Sequence, residues 1–322
     1  MTPLLPAWPT YGLADDVRPA LARSVARGEA TALATIAALD GGGPRPVGTQ
    51  MSIAPGEVCG FLSGGCLEAD VTAHASAVLA DGRARRLVYG AGSPWPDIRL
   101  LCGARIEVLL ERLAPDDAAL LALLDLAERR TPARWHSDGE RRACAPATTA
   151  SEPWAGALSL TFEPRLRLIV LGSDPTALAI AGLGVQAGCE TVLVRPKGPA
   201  EPPPIAGVVY SREEPAAALA ATGLDPWTAV AVASHDAALD HEALVAALPS
   251  AAFYVGALGA RRRLGERLAG LRRAGVAERD VARLHAPIGL DIGGKAPIEI
   301  AVAVLAELTA LRRQARGAAA AA

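Results

Sequence analysis

The chain has 322 residues, 51% of them hydrophobic and 20% charged, which excludes wholesale disorder and leaves room for about two domains of roughly 150 residues. Lys and Arg number 32 against 34 Asp and Glu, a net charge of −2 that argues against a general grip on nucleic acid or an anionic membrane. No apolar run reaches the ~18 residues of a membrane span, no basic stretch precedes an apolar one at the N-terminus, and the five scattered cysteines make neither a disulfide framework nor a zinc site, so a cytoplasmic protein with no resident metal is expected.

The first region, residues 1–114, opens with a predicted helix from Leu13 to Arg27, acidic at its start (Asp15, Asp16) as the helix dipole prefers. The apolar run ATALATIAAL reads as a strand. VGTQMSIA and EVCGFLS, separated by Pro55-Gly56, read as a hairpin. Ser63-Gly64-Gly65 leads into a helix, CLEADVTAHASAVLAD, and ARRLVYG and ARIEVLLERL read as two further strands. The second region, 115–164, begins with a helix that has Pro115 in its first turn, followed by a proline-rich connecting segment with at most a short strand or two. The third region, 165–322, alternates short β-runs with helices and ends in a long apolar helix from Pro297 to about Arg313, with the alanine-rich tail expected to fray. That alternation predicts a parallel, doubly wound sheet.

In such a sheet a ligand sits beyond the carboxyl ends of the strands. Those ends carry Gly172-Ser173-Asp174, Arg195-Pro196-Lys197, Ser234-His235-Asp236, Gly259-Ala260-Arg261 and the segment from Pro287 to Asp291. The dinucleotide fingerprint is poor. Asp174 stands where its second glycine belongs and brings a negative charge to the phosphate position, and Pro175 removes an N–H donor. His235 with Asp236 is the acid/base candidate of this half, set against a reading in which Asp236 only caps a turn. Arg261, nearest its strand end, is the arginine of the Arg261–Arg263 run expected to face a phosphate. The N-terminal half offers Ser63-Gly64-Gly65-Cys66-Leu67-Glu68 between a strand and a helix. Adjacent glycines let backbone approach a ligand, a helix N-terminus presents N–H groups to an anion, and the same dipole lowers the Cys66 thiol pKa. A capped turn with an inert cysteine explains the same residues. Cys102 is a second contributor, while Cys59 and Cys189 read as core.

The segments PVGTQMSIAPGEVCGFLSGGCLEADV, CGARIEVLLERL, ASHDAALDHEAL, FYVGALGARRR and PIGLDIGGKAPIEIAVAVLAEL resemble the xanthine dehydrogenase accessory protein (XdhC/CoxI) family over nearly the whole chain. The resemblance implies an N-terminal α/β XdhC-type domain followed by a Rossmann-like domain. It implies a molybdenum cofactor-binding chaperone, more an accessory factor than an enzyme, that holds the pterin cofactor (molybdopterin or its cytosine dinucleotide form). The cargo would pass to a xanthine dehydrogenase-type molybdenum hydroxylase. A cysteine desulfurase is a further expected partner and a homodimer the expected state. The residues expected to line the cofactor site are Gln50, Ser63, Gly64, Gly65, Cys66, Glu68 and Cys102 in the first domain, and Gly172, His235, Asp236, Arg261 and Asp291 facing them across a cleft. The chain departs from the family pattern at Asp174, at Arg195-Pro196-Lys197, at Ala260 and at Ala104 after Cys102-Gly103. The alternative is an NAD(P)-binding oxidoreductase or a nucleotide-sensing module using the Rossmann half.

Overall fold

In the computed structural model the described residues are 5–43, 45–65, 67–90, 93, 105–150, 152–259 and 261–321, without the side chains of Arg261 and residues 316–321. The chain divides into two compact units, Met1–Pro164 and Arg165–Ala322.

In the first unit a short 3-10 turn (Thr10–Leu13) precedes α1 (Arg18–Ala26). The helix therefore starts later than the sequence suggests. Pro19 disfavours helical backbone just before it, and the Asp16 carboxylate takes both the backbone N–H and the guanidinium of Arg18. β1 (Thr31–Asp40), β2 (Gln50–Ala54) and β3 (Glu57–Gly60) follow, and Pro55-Gly56 closes the β2–β3 hairpin with Gly56 at φ +74°. Then come α2 (Glu68–Asp81), β4 (Arg85–Gly90) and β5 (Arg105–Leu113), giving an antiparallel sheet in the order β3-β2-β1-β5-β4. β1 alternates faces. Ala32, Ala34 and Ile36 pack with Val71, Ala75 and Val78 of α2, and Leu33 packs on the opposite side with Leu21 of α1 and Leu120 and Leu123 of α3 (Ala118–Glu128). Asp117 caps α3 by accepting from the Leu120 N–H, so Pro115 lies ahead of the helix rather than in its first turn.

The stretch beyond α3 is more ordered than its composition predicts. β6 (Ala133–Ser137), β7 (Arg142–Pro146) and β8 (Leu158–Phe162) form an antiparallel sheet with β6 central. Pro132 precedes β6 and Pro146 ends the edge strand β7, positions where a missing N–H costs no ladder bond. Trp135, fully buried, seals this sheet against the α3 core.

The second unit contains β9 (Arg167–Leu171), α4 (Pro175–Gln186), β10 (Glu190–Val194), β11 (Val208–Ser211), α5 (Pro215–Thr222), β12 (Thr228–Val232), α6 (Ala237–Ala247) and β13 (Tyr254–Ala257). A 3-10 turn (Arg261–Arg263) opens α7 (Leu264–Arg273), followed by α8 (Glu278–Val281), β14 (Leu284–His285) and α9 (Pro297–Ala321). The six strands are parallel in the order β11-β10-β9-β12-β13-β14. β12 is buried on both faces: Val230 and Val232 meet α5, α6 and α7, while Ala229 and Ala231 meet α4 and α9. This is the doubly wound α/β arrangement that the alternation predicts. α9 continues through the tail expected to fray, as its alanines favour. No helix of the described residues is long and apolar enough to cross a membrane.

Candidate functional site

The loop between β3 and α2 holds the first cluster. Gly64 (φ +131°) and Gly65 (φ +100°) take backbone angles that a side chain disfavours, both are exposed, and a Cβ on either would meet only open space. The peptide backbone is thus bare to an approaching ligand. Its N–H groups, however, are largely committed. Glu68 is fully buried, and its carboxylate accepts from the backbone N–H of Leu62 (2.9 Å), Ser63 (2.7 Å), Gly65 (3.0 Å) and Leu67 (3.2 Å). The buried Ser63 hydroxyl donates to Glu68 at 3.0 Å and accepts from the Leu67 N–H. The anion expected at the start of α2 is therefore supplied by the chain itself.

Two residues on, Asp70 accepts from the buried Tyr89 hydroxyl at 2.7 Å and lies 3.6 Å from His74 Nε2. Burial, then the Asp70 hydrogen bond and the charges of Asp70 and Glu68, push the Tyr89 phenol far up, so it stays a donor. Gln50 is buried on β2, where its amide donates to Thr35 Oγ1 at 3.2 Å. Cys66 and Cys102 lie outside the described residues. Burial pushes the Cys59 thiol up, and those of Cys144 and Cys189 up to about 11, so these three are protonated thiols at neutral pH.

The second cluster sits at the carboxyl ends of β9 and β12. Gly172 has no room for a side chain, because a Cβ would lie 2.4 Å from the Ala233 carbonyl oxygen. Asp174 caps α4 by accepting from the Ala177 N–H at 2.9 Å, and its other oxygen meets His235 Nε2 at 3.0 Å. His235 is 74% exposed, so this is a surface pair, and it draws the imidazole over the β9–α4 loop. The helix terminus where a pyrophosphate would be received is filled by a carboxylate, and Pro175 offers no N–H there. Asp236 caps α6 through the N–H groups of Ala238 and Leu239, the structural role weighed for it. Ser234 donates to Asp240 at 2.6 Å, and Arg267 pairs with the same carboxylate at 2.9 Å. Burial raises the Asp240 pKa against the lowering pull of Ser234 and Arg267.

A cavity of about 500 Å³ opens here, lined by Gly172, Ser173, Arg195, Ser234, His235 and Asp236 among others. A second, of about 1070 Å³, adjoins it through Ser234, His235, Ala237 and Asp240, and extends over α7. Of the predicted residues of this unit, Gly172, His235 and Asp236 are brought together. Arg261 has its backbone in the turn before α7, and Asp291 is exposed on the loop between β14 and α9. Asp174, Asp240 and Arg267 belong to the cluster and were not singled out as site residues. Only the i, i+4 spacing of Asp236 and Asp240 hinted that a second carboxylate faces the same way. No group of His, Cys, Asp and Glu among the described residues is arranged to hold a metal ion.

Two family descriptions match this chain: "XdhC and CoxI family" over residues 24–90 and "XdhC Rossmann domain" over residues 168–308. The molybdenum cofactor insertion chaperone PaoD of Escherichia coli is 31% identical over 306 residues, covering 93% of this chain and 90% of PaoD. The chain belongs to the XdhC and CoxI family. A probable xanthine dehydrogenase subunit from Bacillus subtilis is 24% identical over 89% of this chain and 94% of its own length. A crystal structure of a protein titled a xanthine dehydrogenase, from Bacillus halodurans, superposes with a TM-score of 0.74 at 23% identity, covering 92% of this chain and 96% of that one, and shares the fold. Within this XdhC and CoxI family member, Gln50 and the Ser63–Glu68 loop lie in the first matched segment. Gly172, His235, Asp236, Arg261 and Asp291 lie in the second, and Cys102 falls between the two.

Proposed function

We propose that the protein carries the molybdenum cofactor as cargo, binding its pterin without transforming it and delivering it to a molybdenum hydroxylase of the xanthine dehydrogenase type. The observation that carries this reading is the match to a molybdenum cofactor insertion chaperone across nearly the full length of both chains. The geometry supports it in two ways. The exposed Gly64-Gly65 backbone gives a flat ligand close approach on one unit, and the strand-end cavities offer polar and cationic walls on the other. In this reading Gln50, Ser63, Gly64, Gly65, Cys66, Glu68 and Cys102 belong to the cargo site of the first domain, and Gly172, His235, Asp236, Arg261 and Asp291 to that of the second. Glu68 shapes its loop rather than touching the cargo. The working form is a cytoplasmic homodimer that meets a cysteine desulfurase before the client enzyme.

The test is to express the protein in a host that makes molybdopterin, purify it without oxygen, and measure bound molybdenum and the fluorescent oxidised pterin. Near-stoichiometric loading, followed by activation of a cofactor-free hydroxylase on mixing, is the expected result. Protein that carries neither metal nor pterin under these conditions overturns the reading.

A further inference from the structure

The second unit contains a cationic cavity whose lining, among the described residues, shares only His235 with the expected site. Its walls carry Arg262, Arg263, Arg267 and Arg273 against two carboxylates, Asp240 and Glu266. Arg267 is committed to Asp240 and to the Leu258 carbonyl. Among the described residues none accepts a hydrogen bond or ion pair from Arg262, Arg263 or Arg273. A chain of net charge −2 thus gathers an excess of two positive charges around one space of about 1070 Å³. A cleft lined by an excess of one sign of charge raises the local concentration of counter-ions, so this space favours an anionic ligand. His241 adds a further nitrogen-bearing wall, and a Cβ on Gly270 would come within 3.7 Å of it and 3.9 Å of Arg273, so bare α7 backbone faces the same space.

The place of this cavity matters as much as its charge. In a doubly wound sheet the usual anion position is the loop after the first strand. Here that loop carries the Asp174 carboxylate, which occupies the helix terminus and repels a second anion. The cations lie further along the same edge, beyond β12, β13 and β14, where Ser234, Leu258 and Pro287 line the cavity.

We infer that this cavity binds a phosphate-bearing ligand of the diphosphate class, with Arg262 and Arg273 as its principal anion contacts. Guanidinium forks suit the paired oxygens of phosphate groups. The inference stands on the cavity itself and does not need the carrier reading. The diphosphate arrives either on the cargo or on a free nucleotide.

The experiment is calorimetric titration of the cargo-free, full-length protein with inorganic pyrophosphate, orthophosphate and cytidine monophosphate. Pyrophosphate binding is expected, weakened at least tenfold by R262A combined with R273A and largely retained by R262K with R273K. R279A, an exposed substitution on α8 away from the cavity, is expected to leave it unchanged. An unchanged melting temperature shows that the double variant is folded, since both arginines are exposed. No pyrophosphate binding at millimolar concentration, or equal binding by the double alanine variant, overturns the inference. Adding pyrophosphate to cofactor-loaded protein then separates the sources: release of pterin fluorescence assigns the cavity to the cargo, and binding without release assigns it to a free nucleotide. Pyrophosphate binding by protein that never carries pterin upholds the cavity while refuting the carrier.

Discussion

The backbone N–H of Ser63 donates to Glu68 Oε1 at 2.7 Å while the Ser63 hydroxyl donates to Oε2 at 3.0 Å, so one buried carboxylate ties both ends of the glycine loop to the start of α2. Leu62, Gly65 and Leu67 add their N–H groups to the same two oxygens. Glu68→Gln keeps the volume but turns an amide donor toward donors. The loss of charge-assisted bonds and the stranding of buried N–H groups is expected to cost about 3 kcal/mol. Urea denaturation reads this as a lowered midpoint. An unchanged midpoint means that the loop does not depend on this carboxylate.

The same fold-back recurs at α9, where Glu299 accepts from the N–H groups of Lys295 and Ala296 at 2.9 Å each, just after Gly293-Gly294. Those hydrogen bonds hold its carboxyl below the usual range. The glycine pair ahead of α2 announces an anion position in sequence without saying what fills it, and the structure shows the Gly293-Gly294 pair ahead of α9 built the same way. In each case the filler is a glutamate a few residues on, which only the folded geometry reveals. The parallel sheet was legible because its strands are short Val, Leu and Ala runs separated by helices with Asp or Pro at their starts, as at Asp174-Pro175. The β6–β8 sheet was obscured by prolines that sit at strand ends. The pairing of Asp174 with His235 joins residues 61 positions apart, beyond the reach of any local pattern.

Arg142 joins β7 to two carboxylates, Glu111 on β5 at 2.9 Å and Asp117, the cap of α3, at 2.8 Å. Burial pushes the Glu111 carboxyl up from its ordinary range, while Arg142 and the Ser137 hydroxyl pull it back. Arg142→Met removes that compensation and leaves a buried charge, at a cost of about 3–5 kcal/mol near neutral pH. The sign with pH follows from the raised folded value. The native state then holds its proton at a pH where the unfolded chain has lost it, so stability falls as pH rises above the ordinary Glu value of 4.5. The variant should therefore lose more stability at pH 8 than at pH 5, and Glu111→Gln added to it should flatten that slope. Equal losses at both pH values would exclude Glu111 as the stranded charge.

Asp138 organises the β6–β7 turn. It accepts from the N–H groups of Glu140 and Arg141, from the Arg141 guanidinium and from the Trp154 indole, over which Arg141 stacks at 5.0 Å. The Arg141 backbone hydrogen bond leads the causes that hold its carboxyl well below the usual Asp range, against a desolvation effect of opposite sign. A depressed folded value means that the stabilisation is present above the unfolded pKa of 3.8 and is lost as pH falls below it. The Trp154 indole N–H resonance should hold steady down to that pH and move at lower values. Asp138→Asn should remove the titration, and an indole signal that shifts already between pH 6 and pH 5 would assign the turn to another group.

The Asp174–His235 pair joins the β9–α4 loop to the end of β12, but its two members should contribute unequally. His235 is mostly exposed, so His235→Ala should change stability by less than ~1 kcal/mol. Asp174 also caps α4 through the Ala177 N–H, so Asp174→Ala should cost about 1–2 kcal/mol. Thermal denaturation separates the two. The same carboxylate carries a prediction about nucleotides. With Asp174 on the helix terminus and Pro175 lacking an N–H, this loop should add nothing to nucleotide binding, so in the R262A/R273A protein, whose arginine cavity is disabled, millimolar NADH should leave the melting temperature unmoved, because a ligand stabilises only a state that binds it. A rise of several degrees with NADH in that variant would place a dinucleotide on this loop despite its charge. Asp174→Gly restores the glycine that the fingerprint wants, yet it leaves Pro175 in place and gives up the cap, so it should lose stability without gaining NADH binding.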